Sequence, residues 1–341
     1  MKINKLSIKI VDFCKGHVDL DADNVLTIST SNQFNIENAK HEIKHIVNFG
    51  KVNNIRFINK FFECVNERLE VDGMYICSSE TIQGRRKRQH VRKIPIIRNV
   101  FYFFEFVFLR IFPKVWGLKK FYFFITRGRR RLLSKAEVLG RLVSCGFEIV
   151  EIKTIDGLLF IAAKKIKEPD YNENASYGPL YKMPRVGKGG KIIGVYKMRT
   201  MHPYAEYLQE YLITSHGYAE TGKPKNDFRL TFWGKTFRKF WIDELPQLIN
   251  LVKGDLKLVG VRPVGKFYFD RLPEEIKEKR LKHKPGCIPP YVALNRKSSL
   301  EEVLKAEMEY MNEKEKNPYF TDTKYFFRAI FNIVFKGKRS A

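Results

Sequence analysis

The sequence predicts a protein in two parts, an α/β N-terminal half followed by a mostly helical α+β C-terminal half. Three observations carry that expectation. Helix and strand patterns alternate between residues 24 and 165. A polar, proline-bearing stretch from Lys164 to Ser176 follows the apolar run Leu158–Ala163 and reads as a linker, assigned to 168–177. At 341 residues the chain has room for two cores of ordinary size, expected over 1–167 and 178–341.

Each N-terminal element has its own signal. Asn24 to Ser29 (NVLTIS) reads as a buried strand. Ile55 to Leu69 follows as an amphipathic helix with Ile58, Phe61, Phe62 and Val65 on one face. Val71-Asp72-Gly73 turns the chain into a further strand, Met74 to Cys77. Ser134 and Glu137 are spaced as a capping box and open a helix that ends at Gly146, where two strands begin.

Residues 85–131 interrupt this alternation. Arg85-Arg86-Lys87-Arg88 and Arg127 to Arg131 flank Ile96 to Phe112 and Phe121 to Ile125, which are crowded with aromatic side chains. Such a segment suits the headgroup region of an anionic bilayer. A buried helical lid over the α/β core is the alternative.

Lys and Arg number 63 against 37 Asp and Glu, a net charge of +26, so an anionic partner is expected: nucleic acid, acidic lipid or a phosphorylated substrate. No nucleic-acid recognition motif is visible, and the aromatic residues cluster in apolar runs rather than in a spaced stacking platform. Nucleic acid is therefore not expected as a partner. Five scattered cysteines form no CxxC pair and suggest a reducing compartment. The first residues lack the apolar region of a signal peptide, and no apolar run is long enough to span a bilayer. Any membrane contact is expected from the cytoplasmic side.

The C-terminal half carries the chemistry. Gly187-Lys188-Gly189-Gly190 reads as a hairpin turn between two strands, without the spacing of a P-loop. Lys197 and Arg199 alternate and so share one side of a strand. Arg229 and Arg238 add cations ahead of an acidic pair, Asp243-Glu244. Because Pro246 is tolerated only in a first turn, a helix is expected to start just ahead of it, with both carboxylates at its positive end. Ile242, Leu245, Leu248, Ile249 and Val252 are expected to form its buried stripe. An ionised Asp placed there can attack phosphorus, and the adjacent Glu can hold Mg2+ shared with phosphate oxygens. The plainer reading makes Asp243 an N-cap and Glu244 a dipole-matching residue.

Two resemblances extend these readings. The order of elements in 37–79 and 134–165 resembles the latter part of an S-adenosylmethionine-dependent methyltransferase fold, Rossmann-like but incomplete. Ser29-Thr30-Ser31-Asn32 stands where that family has its glycine-rich cofactor loop, so a degenerate scaffold is implied. From residue 178 to about 337 the chain resembles the bacterial sugar transferases, in KMRTM, NDFRLTFWGKTFRK, IDELPQLINLVKGDLKLVGVRP and KHKPG. That resemblance implies transfer of a sugar-1-phosphate from a UDP-sugar to undecaprenyl phosphate, with release of UMP, at the start of polysaccharide repeat-unit synthesis. It gives Asp243 the role of nucleophile, Glu244 that of Mg2+ ligand, and Lys197, Arg199, Arg229, Arg238 and Arg262 the binding of phosphates. The implied site of action is the cytoplasmic face of the bacterial inner membrane. Self-association is left open. Where the family carries a re-entrant membrane helix, this chain has the polar residues 166–176, so either 96–125 supplies the anchor or attachment is peripheral. The C-terminal segment Tyr325 to Lys336 either lies on the membrane or packs on the catalytic core. A catalytically inactive relative that binds lipid or partner proteins is the alternative function.

Overall fold

The computed structural model describes residues 7–39, 43–88, 95–115, 117–171, 178–216 and 227–337. Residues 172–177 of the expected linker, 89–94 and Trp116 of the insert, and Asn226 lie outside this part. The chain is mixed α/β and divides into two compact units. The first comprises Met1–Tyr177 with His202–Arg229, and the second Gly178–Met201 with Leu230–Ala341.

The first unit is built on five strands: β1 (Val25–Ile28), β2 (His45–Lys51), β3 (Met74–Ser79), β4 (Phe147–Ile155) and β5 (Leu158–Lys165). Their order is β1-β2-β3-β5-β4. β1, β2 and β3 run parallel, and β5 is antiparallel to both its neighbours. Alternation along β3 supplies both faces: Tyr75 and Cys77 join one core and Met74 and Ile76 the other. The first core takes the helix Ile58–Arg68, through Ile58, Phe61, Phe62 and Val65, and the helix Lys135–Ser144. The second takes the helix Ile8–Lys15, through Ile10, Phe13 and Cys14. Helices thus cover both faces of the sheet, as parallel strands require.

Ser134 caps its helix by accepting from the Glu137 N–H at 3.1 Å, the expected half of a capping box. The other half is replaced, because the Glu137 carboxylate binds Arg110 (2.9 Å) and Arg141 (3.0 Å) instead. Gly146 ends the helix region with φ +84, and a Cβ there would lie 2.1 Å from the Lys167 carbonyl oxygen. Only glycine fits that corner.

The insert folds as the helix Pro95–Phe106, a π-turn at Val107–Ile111, a 3-10 turn at Phe112–Lys114 containing Pro113, and the helix Leu118–Thr126. One side is tied inward: Glu105 pairs with Arg85 at 2.7 Å, Arg110 reaches Glu137 and the Leu132 carbonyl, and Tyr122 is buried. The other side leaves Ile96, Phe103, Phe104, Phe121, Phe124 and Ile125 exposed. Among the described residues no helix is long and apolar enough to cross a membrane.

The catalytic half expected as one block over 178–341 is interrupted, since residues 202–229 cluster with the first unit. Close packing fixes residues 202–216 there. The Tyr204 carbonyl lies so near Gly140 that a Cβ would approach it to 2.2 Å, Arg141 stacks on the Tyr204 ring, and Leu208 enters the core with Phe61 and Leu139.

The second unit opens with the hairpin β6 (Leu180–Val186) and β7 (Ile192–Met198), joined through Lys188–Gly190 as expected. Two short parallel strands, β8 (Lys257–Val259) and β9 (Gly286–Ile288), follow in the same unit. Gly286 is obligatory here, because a Cβ on it would stand 2.1 Å from the Gly260 nitrogen. Val259, Val261, Tyr291, Tyr310, Met311, Tyr325 and Ala329 form the core with the helices Leu300–Lys316 and Phe320–Phe335. The last helix buries Tyr325, Ala329 and Asn332 and exposes Phe327, Phe331, Val334 and Phe335. One face therefore packs on the core while the other presents an apolar surface.

Candidate active site

Trp241 takes a left-handed conformation, φ 58, and bends the chain between the helix Phe232–Lys239 and a 3-10 turn, Ile242–Glu244. Asp243 and Glu244 lie in that turn. Pro246 caps the next helix, Gln247–Val252, so the α-helix starts after the proline rather than ahead of it, and the carboxylates precede it in a turn of their own. The dipole available to them is that of short segments.

Lys197 of β7 meets both acids: its Nζ lies 3.1 Å from Asp243 Oδ2 and 3.0 Å from Glu244 Oε1. Asp243 is 2% exposed, whereas the Glu244 and Lys197 side chains keep some access to solvent. Asn250, fully buried, holds this register. Its Oδ1 accepts from the Tyr196 N–H at 2.9 Å and its Nδ2 donates to the Gly194 carbonyl at 2.8 Å, which fastens the Gln247–Val252 helix to β7.

This fastening reverses the expected helix orientation. Leu245 and Leu248 are each 57% exposed and Val252 is 92% exposed, while Asp243, Gln247 and Asn250 are buried. The polar side must face β7 to bond its backbone and Lys197, so the apolar stripe points outward. Phe232 and Phe240 on the preceding segment are exposed as well.

The remaining expected phosphate ligands divide. Arg238 Nε donates to Thr200 Oγ1 at 3.0 Å, which brings it to the end of the strand that carries Lys197. Arg262 follows β8; its N–H donates to Glu307 at 3.1 Å and its carbonyl accepts from Arg280. Arg185 lies alongside, with the Val186 N–H bonded to the Val264 carbonyl at 2.9 Å. Burial lowers the Arg185 guanidinium pKa and the charge of Arg262 lowers it further, against the effect of Tyr181. Arg199 instead donates to the Gly178 carbonyl at 3.0 Å and stacks 5.0 Å from the Tyr181 ring.

Arg229 does not share a unit with the acids. It belongs to the first unit, is 4% exposed, and its guanidinium is taken up by Asp227 (2.8 Å) and Gln209. An arginine satisfied by a neighbouring carboxylate has little left to offer a phosphate.

Sequence reasoning did not single out Asn250, Thr200 or Cys287. The last lies on β9, and its thiol is pushed up to about 11 by burial and then by the negative charge of Glu244. Only the reversed helix explains Asn250, and no spacing rule reports it.

Among the described residues no three His, Cys, Asp or Glu side chains group as a metal site. The Asp243-Glu244 pair nevertheless fits Mg2+, which takes one or two carboxylates and completes its shell with water and substrate phosphates.

Fold and site together define a mixed α/β protein with a paired-carboxylate centre bridged by one lysine. The family model described as bacterial sugar transferase matches residues 160–336, more than half of the chain, and the protein belongs to that family. The match begins inside β5. The chain is 35% identical over 142 residues to the galactosyl transferase CpsE of Streptococcus agalactiae, covering 40% of this chain and 31% of that protein. It is 35% identical over 135 residues to the undecaprenyl-phosphate galactose phosphotransferase of Salmonella typhimurium, covering 38% and 28%. It is 38% identical over 116 residues to an Aeromonas hydrophila UDP-N-acetylgalactosamine-undecaprenyl-phosphate N-acetylgalactosaminephosphotransferase, covering 33% and 25%. The matched part thus spans less than a third of each of these relatives.

Proposed function

We propose that the protein transfers a sugar-1-phosphate from a UDP-sugar to undecaprenyl phosphate and so begins a polysaccharide repeat unit. The observation that carries this reading is Asp243, almost fully buried beside Glu244, with Lys197 Nζ within 3.1 Å of both. In the first half-reaction an Asp243 carboxylate oxygen attacks the sugar-bearing phosphorus. The bond from that phosphorus to the bridging oxygen breaks, and UMP leaves. In the second, an oxygen of the polyprenyl phosphate attacks the same phosphorus, the acyl-phosphate bond breaks, and Asp243 is restored. Lys197 holds both acids in place. Arg238 and Arg262 are the cations we assign to the phosphates, since phosphoryl transfer rests mainly on positioning and charge neutralisation. Mg2+, with Glu244 as its protein ligand, would supply charge neutralisation to the phosphate oxygens.

The relatives' names support the substrate class, and the outward apolar stripe supports the place of action. Leu245, Leu248, Ile249 and Val252 adjoin the acids in sequence and face away from the protein, an arrangement that suits a site working at the surface of a bilayer. We assign that surface to the cytoplasmic leaflet, where the basic charge meets anionic lipid.

We read the first unit as a reduced methyltransferase-type fold that serves as a scaffold. The parallel β1-β2-β3 set closed by the β4–β5 hairpin supports this. After β1 the chain has no glycine cradle. Asn48 bonds both the N–H and the carbonyl of Thr30 at 3.0 Å, and a Cβ on Gly50 would come within 2.5 Å of that carbonyl.

The test is incubation of the purified protein with undecaprenyl phosphate, Mg2+ and a panel of UDP-sugars, with UMP measured. Release by the wild type and not by Asp243→Asn is expected. Equal release by both sinks the nucleophile assignment, and vesicle binding without any release favours the inactive lipid-binding relative.

A further inference from the structure

We infer that the first unit holds a binding site for a single anionic amphiphile, a lipid with a phosphate monoester head, in a cavity beneath the aromatic insert. The inference is independent of the chemistry at Asp243. The cavity has a volume of ≈ 430 Å³, within the range of specific ligand sites, and all of its lining residues lie in the first unit.

Its charge is one-sided. The two acids that line it are Glu137 and Glu63, and Glu137 is already engaged by the buried Arg110 and Arg141. Against Glu63 stand Arg56, Lys60, Lys119 and Arg131. Arg56, Lys60 and Lys119 are exposed and so sit at the rim. Arg56 and Arg131 both lie over the Phe123 ring, at 5.2 and 5.7 Å, which fixes their heads while leaving the site cationic. Between these charges the walls are apolar: Leu109, Pro113, Phe123, Leu132 and Leu133.

A second depression, ≈ 580 Å³, shares Arg56, Lys119 and Phe123 with the first and continues it past Lys120 to Phe124. Phe124 is 85% exposed, and its neighbours Phe121 and Ile125 are exposed too. A path therefore runs from a cationic chamber, along the helix Leu118–Thr126, to an outward apolar surface. A phosphate matches the first, a hydrocarbon tail the second, and a water-soluble anion would leave the apolar stretch unused. The feature is not a surface lysine patch, because its cations are built around an aromatic wall and a buried carboxylate–arginine centre.

The test uses the full-length protein in detergent and a long-chain prenyl phosphate carrying a photoreactive diazirine in its tail, with labelled peptides mapped by mass spectrometry. Label is expected in the peptides that hold Leu109 and Phe123. Unlabelled prenyl phosphate should compete it away, and the corresponding prenyl alcohol and inorganic phosphate should not. Lys60→Glu with Lys119→Glu should cut this label about tenfold or more, because each loses a charge-assisted contact. Both side chains are exposed, so the thermal midpoint should hold, and Lys60→Arg with Lys119→Arg should keep the label. Competition by phosphatidic acid as well as prenyl phosphate makes the site general for phosphomonoester lipids. Competition by prenyl phosphate alone makes it specific for the carrier lipid. Label that the alcohol competes equally well reduces the site to apolar adsorption, and competition by inorganic phosphate reduces it to a free-anion site. Either result overturns the inference, as does an absence of label in residues 109–133.

Discussion

Two buried charge clusters, one in each unit, have opposite stoichiometry. In the first, the single carboxylate of Glu137 faces two arginines, Arg110 and Arg141, and all three side chains are almost fully enclosed. In the second, two carboxylates, Asp243 and Glu244, face the single ammonium of Lys197, which keeps partial access to solvent. The two guanidinium groups each engage one oxygen of that carboxylate and hold it in fixed geometry. One lysine, a compact charge on a flexible stem, cannot saturate four carboxylate oxygens. The first cluster is thus built to hold the helix Lys135–Ser144 against the insert. The second leaves carboxylate oxygens that Lys197 does not engage.

The largest expected effect separates the two at once. Asp243→Asn removes the carboxylate we propose as nucleophile and should lower UMP release by about 10³-fold or more, with unfolding unchanged. Lys197→Met should cost about 10²-fold, the usual loss for one electrostatic contact to a reacting centre. If Lys197→Met also unfolds the protein, the lysine is a structural ion-pair partner and the contrast fails.

Glu137→Ala should do the reverse. It leaves two guanidinium groups buried without their carboxylate, which costs about 3–5 kcal/mol of stability. Chemical denaturation reads this directly, and UMP release per folded molecule should hold. A fall in that specific activity without a shift in the denaturation midpoint would make the first cluster part of the catalytic apparatus.

The apolar stripe beside the second cluster extends the comparison to the surface. Leu248→Ser with Val252→Ser should change stability by no more than about 0.5 kcal/mol each, since both side chains already face solvent. Sedimentation with anionic vesicles should nevertheless fall. Substitutions that unfold the protein instead would mean that the stripe is packed, as its spacing first suggested.

Much of this was legible in the sequence, for particular reasons. Local rules reported the Ser134 cap, the Gly146 stop and the Gly187–Gly190 hairpin, because each depends on a few adjacent residues. The orientation of the Gln247–Val252 helix was not legible. Apolar periodicity reports which residues share a face and is silent on whether that face meets a core or a membrane. The fate of Arg229 was equally hidden, since Asp227 competes with any phosphate for it, and only the fold shows which of them the guanidinium reaches. The excursion of residues 202–229 into the first unit depends on Tyr204 meeting Gly140, a contact that no spacing encodes.

The smallest effect tests the geometry of the second cluster without reference to turnover. Cys287, half-buried on β9, has its thiol pushed up to about 11, first by burial and then by the Glu244 carboxylate. A negative neighbour disfavours the thiolate, so at a pH below 11 its removal must raise the thiolate fraction. Glu244→Gln should therefore speed alkylation of Cys287 at pH 9, followed peptide by peptide. Cys14, Cys64, Cys77 and Cys145 are buried in the first unit, and their slow labelling should stay unchanged as the internal standard. A rate at Cys287 that ignores the substitution would mean that Glu244 does not face β9. The metal role given to Glu244 would then lose the placement on which it stands.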